Sequence, residues 1–397
     1  MSLGVEGGRE AGVLVLDFEP GVAYVLRVGE VWPGPGLVRR PGWVRVESGR
    51  IAGLGYGLPP TGPGLEFLEL GPVLLTPALL DAHVHLGLTR KKGLDLAGRS
   101  ALAAGLGLAA VRDGGDKDGA ALRLRDRIEE HLYLAASGAA LHAPGRYGSF
   151  LGRAVADRAG LAAAVKELAL AGADQIKVLA SGPVGLEAFG RTGGPQFSAA
   201  DLAWLVELAG DRGLKVMAHA NGPQAVKMCL KAGAASLEHG YFMGEANLEL
   251  LAETGAAWVP TIAPLAALAE GERDRERRSL LERIIADQVA RLARAREFGI
   301  RAVPGSDAGS PGVAVGPGLY SELSWWRQAG WTLDEILAAA TAGASALLGL
   351  GQILGRLAEG RPAFLAGFPL ASALAGPPVF VGRPAGSRPG WTRRDHV

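Results

Sequence analysis

Between residue 74 and about residue 350, short apolar runs alternate with amphipathic stretches rich in Ala, Leu and Arg. The runs are "VLLTPALLDAHVHL", "LAAVRDGG", "LYLAASGAAL", "DQIKVLASG", "LKVMAHAN", "ASLEHGY", "AAWVPTI" and "IRAVPGSDAG". Stretches such as "SAADLAWLVELAGDRG" and "GPQAVKMCLKAG" between them have helical spacing. Eight β-then-α units in a chain of this length predict a (β/α)8 TIM barrel. Residues 1–73 differ in texture: "GVLVLDF", "VAYVLRVGEVW", "GWVRVESGRIAGLG" and "EFLELG" read as short strands broken by Gly and Pro. Residues 351–397 return to that pattern with "PAFLAGF" and "PPVFVG". The expected division is therefore a barrel over 74–350, and a small β-sandwich built from 1–73 and 351–397. The charge-dense "EGERDRERRSLLERIIADQVARLARAREFG" reads as a long solvated helix between the seventh and eighth strands.

Composition narrows the function classes. Hydrophobic residues make up 48% of the 397 positions and charged residues 20%, as suits a globular chain with a large core. A formal net charge of +1, without a basic run, gives no field to recruit nucleic acid or an anionic membrane. The single cysteine, Cys229, excludes an internal disulfide and any cysteine-based metal cluster. "MSLGVEGGREAG" has no apolar signal core and no run of about 18 apolar residues is present, so a cytoplasmic location is expected.

Catalytic groups of such a barrel gather at the C-terminal ends of its strands. The first strand ends in His83 and His85, which an i, i+2 spacing puts on one face. The fourth carries Lys177, the fifth His219, the sixth His239 and the eighth Asp307. Four of the chain's seven histidines thus fall at strand ends. Each alone has a plain structural explanation, since a histidine can be a satisfied core residue and an aspartate a turn former. Lys177 is harder to explain, because an unpaired ammonium between Ile176 and Val178 is costly. Imidazole and carboxylate suit zinc and similar divalent metals, and this set exceeds what one catalytic ion needs. Two metals would use it fully, given a bridging anion. A carbamate formed on Lys177 by carbon dioxide would be such a bridge, and would remove the buried charge.

"DAHVHL", "IKVLASG", "HANGPQAVKMCLKAGAASLEHG" and "GSDAG" resemble the metal-dependent amidohydrolase superfamily over nearly the whole chain. "PQFSAADLAWLVELAGDRGLKVMAHA" and "ETGAAWVPTIAP" resemble the branch of Xaa-Pro dipeptidases (prolidases) and related carboxypeptidases, with imidazolonepropionases more distant. The resemblance implies that His83 and His85 bind the more buried metal and that carboxylated Lys177 bridges. It gives His219 and His239 to the more exposed metal, and makes Asp307 both a ligand and the general base. It implies a metal-bridging hydroxide as nucleophile, with zinc as the default metal. The tail departs from the family pattern at "GRPAFLAGFPL".

Substrate contacts are expected from the loops. His142, Arg146 and Tyr147 follow the third strand, Arg191 lies in the long Gly-rich segment after Lys177, and Tyr241 follows His239. A guanidinium there could clamp a substrate carboxylate, or could simply face solvent. Arg112 and Asp113 read as a structural ion pair, and Trp325 and Trp326 as core. The expected activity is hydrolysis of an amide or peptide-like bond in a small-molecule or dipeptide-like substrate, with a homo-oligomer left open. A cyclic-amide or lactone hydrolase is the alternative. A catalytically silent scaffold barrel is the third reading, disfavoured because all the candidate ligands are present.

Overall fold

The computed structural model describes residues 9–10, 12–88, 95–129 and 131–385; parts of both terminal segments, 1–8 and 386–397, lie outside it. The two chain ends meet in one mixed sheet. Its strand order is Arg9–Glu10, Val13–Phe18, Phe380–Pro384, Leu365–Pro369, Val73–Pro77, Ala23–Val31, Arg40–Glu47 and Arg50–Tyr56, with Leu65–Glu69 also on Ala23–Val31. The tail that departs from the family pattern supplies Leu365–Pro369, which runs antiparallel to Val73–Pro77 from Leu365 opposite Pro77 to Pro369 opposite Val73. Alternation sets the faces: Gly42, Val44 and Val46 of Arg40–Glu47 are buried while their neighbours are not. Val44 and Val46 pack with Leu26, Ile51, Leu75, Leu365 and Phe380 in a core of their own. Each fully buried side chain of this kind contributes roughly 1.5–3 kcal/mol.

The remaining strands are parallel. Leu79–Val84, Leu108–Asp113 and Tyr133–Ala136 form one group. Gly152–Ala154, Ala140–His142, Gln175–Leu179, Lys215–Ala220, Ser236–His239 and Ala257–Val259 form the other. Nearly every residue in them is buried, as expected of strands covered on both faces. Segment 301–308 connects the groups: Ala302 bridges Trp258 and Ala308 bridges Val84.

Three expected strands differ in detail. "VLLTPALLDAHVHL" is two strands, Val73–Pro77 in the mixed sheet and Leu79–Val84 in the parallel array. Pro77 has no N–H to continue a ladder, so the chain can change sheets there. The third strand breaks at Gly138, whose φ of 72° suits glycine. Its first half pairs with Leu108–Asp113 and its second with Gln175–Leu179. "IRAVPGSDAG" makes only isolated bridges, because Pro304 lacks a donor and Asp307 turns the chain at a φ of 51°.

Helices start where side chains cap them: Asp157 accepts from Gly160 N–H, Ser198 from Asp201 N–H, and Thr332 shares a capping box with Glu335. The charge-dense segment forms Arg275–Glu297, but it is not solvated all round. Leu281, Ile284, Ile285, Gln288, Leu292 and Ala295 are buried along one face. Trp326 is fully buried, and Trp325 packs against the same core. Among the described residues no helix is long and apolar enough to cross a membrane.

Candidate metal centre

Strand register brings the strand-end residues together. Leu179 lies opposite His219 and Ala220 opposite His239, so Lys177, His219 and His239 come from neighbouring strands. His83 Nε2 stands 3.3 Å from His85 Nε2 and 3.4 Å from Lys177 Nζ. Asp307 Oδ1 lies 3.6 Å from His83 Nε2 and 3.4 Å from His85 Nε2. The His239 ring centroid is 5.1 Å from that of His83 and 4.5 Å from that of His219. Ligand atoms of His83, His239 and Asp307 all lie within 4.8 Å of one another. All six residues the sequence singled out for metal therefore share one cluster.

The other ring nitrogens decide which atoms face inward. His83 Nδ1–H donates to Glu238 Oε2 at 2.7 Å, and His85 Nδ1–H donates to the Gly115 carbonyl at 2.7 Å. His239 Nδ1 lies 2.6 Å from the Thr261 hydroxyl. With Nδ1–H engaged, a neutral imidazole carries its acceptor lone pair at Nε2. The Nε2 atoms of His83 and His85 and the Asp307 oxygen are thus acceptors crowded 3.3–3.6 Å apart. Such a cluster calls for positive charge among its members, and a divalent cation meets that need. His219 is turned differently: its Nε2 lies 3.2 Å from the Gly182 carbonyl and 3.3 Å from Asn221 Nδ2.

Burial sets the charge state. It holds the His85 imidazole down at about 4 and that of His219 at about 3, with the Lys177 ammonium adding to both effects. His83 and His239 are driven well below the usual histidine value, again chiefly by burial. All four rings are neutral at pH 7, the form that binds metals. Burial also pushes Lys177 down and Asp307 up, and each opposes the other's shift through its own charge. A neutral lysine amine is the form that can react with carbon dioxide.

Several residues that support the cluster were not singled out from the sequence. Arg112 does not pair with Asp113, because adjacent strand residues face opposite ways. Its guanidinium donates instead to Glu238 Oε1 at 2.7 Å, to Ser236 Oγ at 2.8 Å and to the Ala82 carbonyl at 2.7 Å. Asp113 accepts from the N–H groups of Leu86 and Gly115. Glu238 is thus a fully buried carboxylate holding Arg112 with one oxygen and His83 with the other. Asp81 accepts from Ser306 N–H, Ser306 Oγ–H and His83 N–H, tying the first strand to the turn that carries Asp307. Burial pushes the Asp81 carboxyl up to about 6. Sequence signals existed for both: Asp81 precedes His83 by two residues on the same face, and Glu238 is a carboxylate inside an apolar strand.

Three residues of the site hold positive φ: His239 at 66°, Thr261 at 49° and Asp307 at 51°. The β-branched Thr261 is an outlier there, and such strain persists only where neighbours enforce it. The Tyr241 hydroxyl donates to the Thr261 carbonyl at 3.0 Å. Trp258 Nε1–H and Gln288 Nε2–H both donate to the His239 carbonyl, at 2.9 and 2.6 Å. Gln288 comes from the buried face of Arg275–Glu297, so that helix braces the site.

Replacing Glu238 with glutamine would leave Arg112 buried without its counter-charge. We expect a loss of roughly 3–5 kcal/mol in stability, read by denaturant titration. Metal affinity should fall about 10- to 100-fold, read by competition with a chelator.

The cluster opens into a cavity of about 860 Å³. Lys177, His85, His219, His239 and Asp307 line it, with Tyr147 and Tyr241. Of the residues expected to touch substrate, these two tyrosines are the ones at the cavity; the Tyr147 ring lies 5.5 Å from that of His219. His142 is buried, with its Nδ1 2.9 Å from the Ala143 carbonyl, and it does not line the cavity. Arg146 is exposed and donates to the Pro195 carbonyl at 3.3 Å. Arg191 lies 3.6 Å from Glu187, with both side chains about two-thirds exposed. The segment carrying Arg191 folds back on itself through bridges Ser181–Pro195 and Val184–Thr192, and its Pro183, Val184 and Leu186 line the cavity.

The amidohydrolase family profile matches residues 74–382, most of the chain and every member of the cluster. The chain belongs to the amidohydrolase family. It is a hydrolase acting on carbon–nitrogen bonds, and its family generally uses divalent metal ions. An uncharacterised protein of Mycobacterium tuberculosis is 29% identical over 277 residues, covering 67% of this chain and 72% of that protein. Aspergillus niger ochratoxinase is 31% identical over 202 residues, 48% of this chain and 39% of ochratoxinase. The fold is shared with a Xaa-Pro dipeptidase whose crystal structure holds methionine in the active site. The TM-score is 0.75 at 23% identity, over 87% of this chain and 94% of that one.

Proposed function

We propose that the protein is a binuclear metal-dependent hydrolase of the prolidase-like kind that cleaves an amide or peptide-like bond. We further infer that its parallel strands, joined through segment 301–308, form a closed (β/α)8 barrel flanked by a terminal β-sandwich. The observation that carries the catalytic reading is the crowding of acceptor atoms, with His83 Nε2, His85 Nε2 and Asp307 Oδ1 within 3.6 Å of one another in a buried site. In this reading His83, His85 and Asp307 would hold one divalent ion, His219 and His239 would hold the other, and Lys177 as its carbamate would help to hold both. Zinc fits the imidazole and carboxylate donors. The ions would supply a water ionised near neutrality and a Lewis acid for the scissile carbonyl.

The protein's own groups do the rest. Asp307 takes the proton from the attacking water and delivers it to the departing nitrogen, a role suited to a carboxyl whose proton affinity burial has raised. Glu238 and Gly115 hold the His83 and His85 rings in one tautomer, and Thr261 fixes the orientation of His239. The strained segments at His239, Thr261 and Asp307 point these groups into the cavity before substrate arrives.

A panel of dipeptides, N-acyl amino acids and simple anilides tests this. Hydrolysis of at least one class should be lost on treatment with a chelator and return when zinc is restored. Hydrolysis that survives complete removal of metal would contradict the proposal.

A further inference from the structure

We propose that Glu322 is a positioning residue for the ion assigned to His219 and His239, acting through the backbone that carries Thr261. This role rests on the binuclear reading above. Glu322 is fully buried and belongs to helix Pro317–Gln328, yet it bonds to the start of another helix, Ala263–Gly271. Its Oε2 accepts the Ala263 N–H at 2.9 Å, and the Ile262 N–H is a further donor to the same carboxyl group. Its Oε1 accepts from Trp326 Nε1–H at 3.2 Å, one turn along its own helix. The first N–H groups of a helix need acceptors, and the cap position here is Ile262, whose side chain has none to offer. Glu322 therefore caps that helix from outside. Burial pushes its carboxyl up to about 8, and the three N–H groups oppose that shift. In either protonation state both oxygens keep a lone pair for these donors.

The cap holds a wall of the site. Thr261 lines the cavity just before the capped residues, and Pro264 and Leu265 line it just after them. Thr261 Oγ1 lies 2.6 Å from His239 Nδ1, on a residue whose φ is 49°. Such strain lasts only while neighbours enforce it. Three side chains from three elements do so. Gln288 donates to the Pro260 carbonyl, Tyr241 donates to the Thr261 carbonyl, and Glu322 accepts the N–H groups of Ile262 and Ala263. Without Glu322 those N–H groups would be left unpaired in the interior, which is costly. A shift of the segment would relieve that cost and the strain together, and would carry the Thr261 hydroxyl away from His239.

The test is a double-mutant cycle read by stepwise zinc binding in competition with a chelator. It compares the unaltered protein, Glu322→Met, Thr261→Val and the double variant. Methionine follows the stem of glutamate without its oxygens, and valine keeps the shape of threonine without its hydroxyl. Each single change is expected to weaken one zinc-binding step about 10-fold and to leave the other step nearly unchanged. The double variant should bind zinc no more weakly than Thr261→Val alone, because Glu322 acts through Thr261. Leu323→Ala removes a buried side chain from the same helix and spares the Glu322 contacts, so both steps should stay as they are. Should Glu322→Met not fold, Glu322→Asp, which draws the carboxyl group back from the helix start, carries the same expectation. Unchanged zinc affinity in the Glu322 variant, additive losses in the double variant, or equal weakening by Leu323→Ala would overturn the role. An unaltered protein that takes up a single zinc ion would contradict the binuclear reading, whereas non-additive weakening of that ion would still support Glu322 as a positioning residue.

Discussion

Replacing Asp307 with asparagine is expected to lower kcat by about 10²- to 10⁴-fold, the loss typical of removing a general acid–base group. Asparagine keeps the shape and one acceptor oxygen but cannot carry the proton from water to the leaving nitrogen. It also tolerates the backbone. Asp307 sits at a φ of 51°, where asparagine is among the few residues accepted readily. Its N–H bond to the His83 carbonyl at 2.7 Å does not involve the side chain and survives the change. The variant should therefore melt close to the unaltered protein while losing activity. Activity near the original level would place the proton transfer on another group.

Replacing Lys177 with methionine is expected to have an effect of similar size by a different route. Lys177 is 1% exposed and among the largest fully buried side chains, so methionine can fill the space its stem occupies. The amine, and with it the carbamate, is lost. Metal content per chain should fall from the two ions of a bridged site toward about one, and hydrolysis should become undetectable. Elemental analysis and hydrolysis assays read the two effects independently. Unchanged metal content would exclude Lys177 as the bridge.

Much of the site was legible because its residues violate the composition of the strands that carry them. Histidine, lysine or aspartate closing an apolar run is conspicuous, and strand periodicity says which of them share a face. Asp81 obeys the same rule, two residues before His83, and now appears as the link to Ser306. The Glu238–Arg112 contact was not legible in this way. It joins residues 126 apart in sequence, and the nearer partner, Asp113, was the wrong one because it faces away. Thr261 and Gln288 carry no compositional signal: a threonine after a strand and a glutamine in a charged helix are ordinary. Their roles come from backbone strain and from the buried face of Arg275–Glu297, which is masked by the arginines on its exposed side.

The loops behaved differently from the strands. Arg146 and Arg191 were reasonable candidates for a carboxylate clamp, yet loop direction is set by turns that sequence alone fixes weakly. Both turn to partners outside the cavity, and the apolar residues beside them in sequence line it instead. The terminal sheet shows the converse. "GRPAFLAGFPL" looked unlike a family strand, but its apolar content was enough to place Leu365–Pro369 against Val73–Pro77.

The most direct test is a crystal structure of the zinc-loaded protein with anomalous diffraction collected at the zinc edge. The account predicts a pair of peaks roughly 3.5–4 Å apart among His83, His85, His219, His239 and Asp307, with density for a carboxyl group extending from Lys177 Nζ to both. A lone peak with an unmodified Lys177, or zinc bound away from these residues, would contradict it.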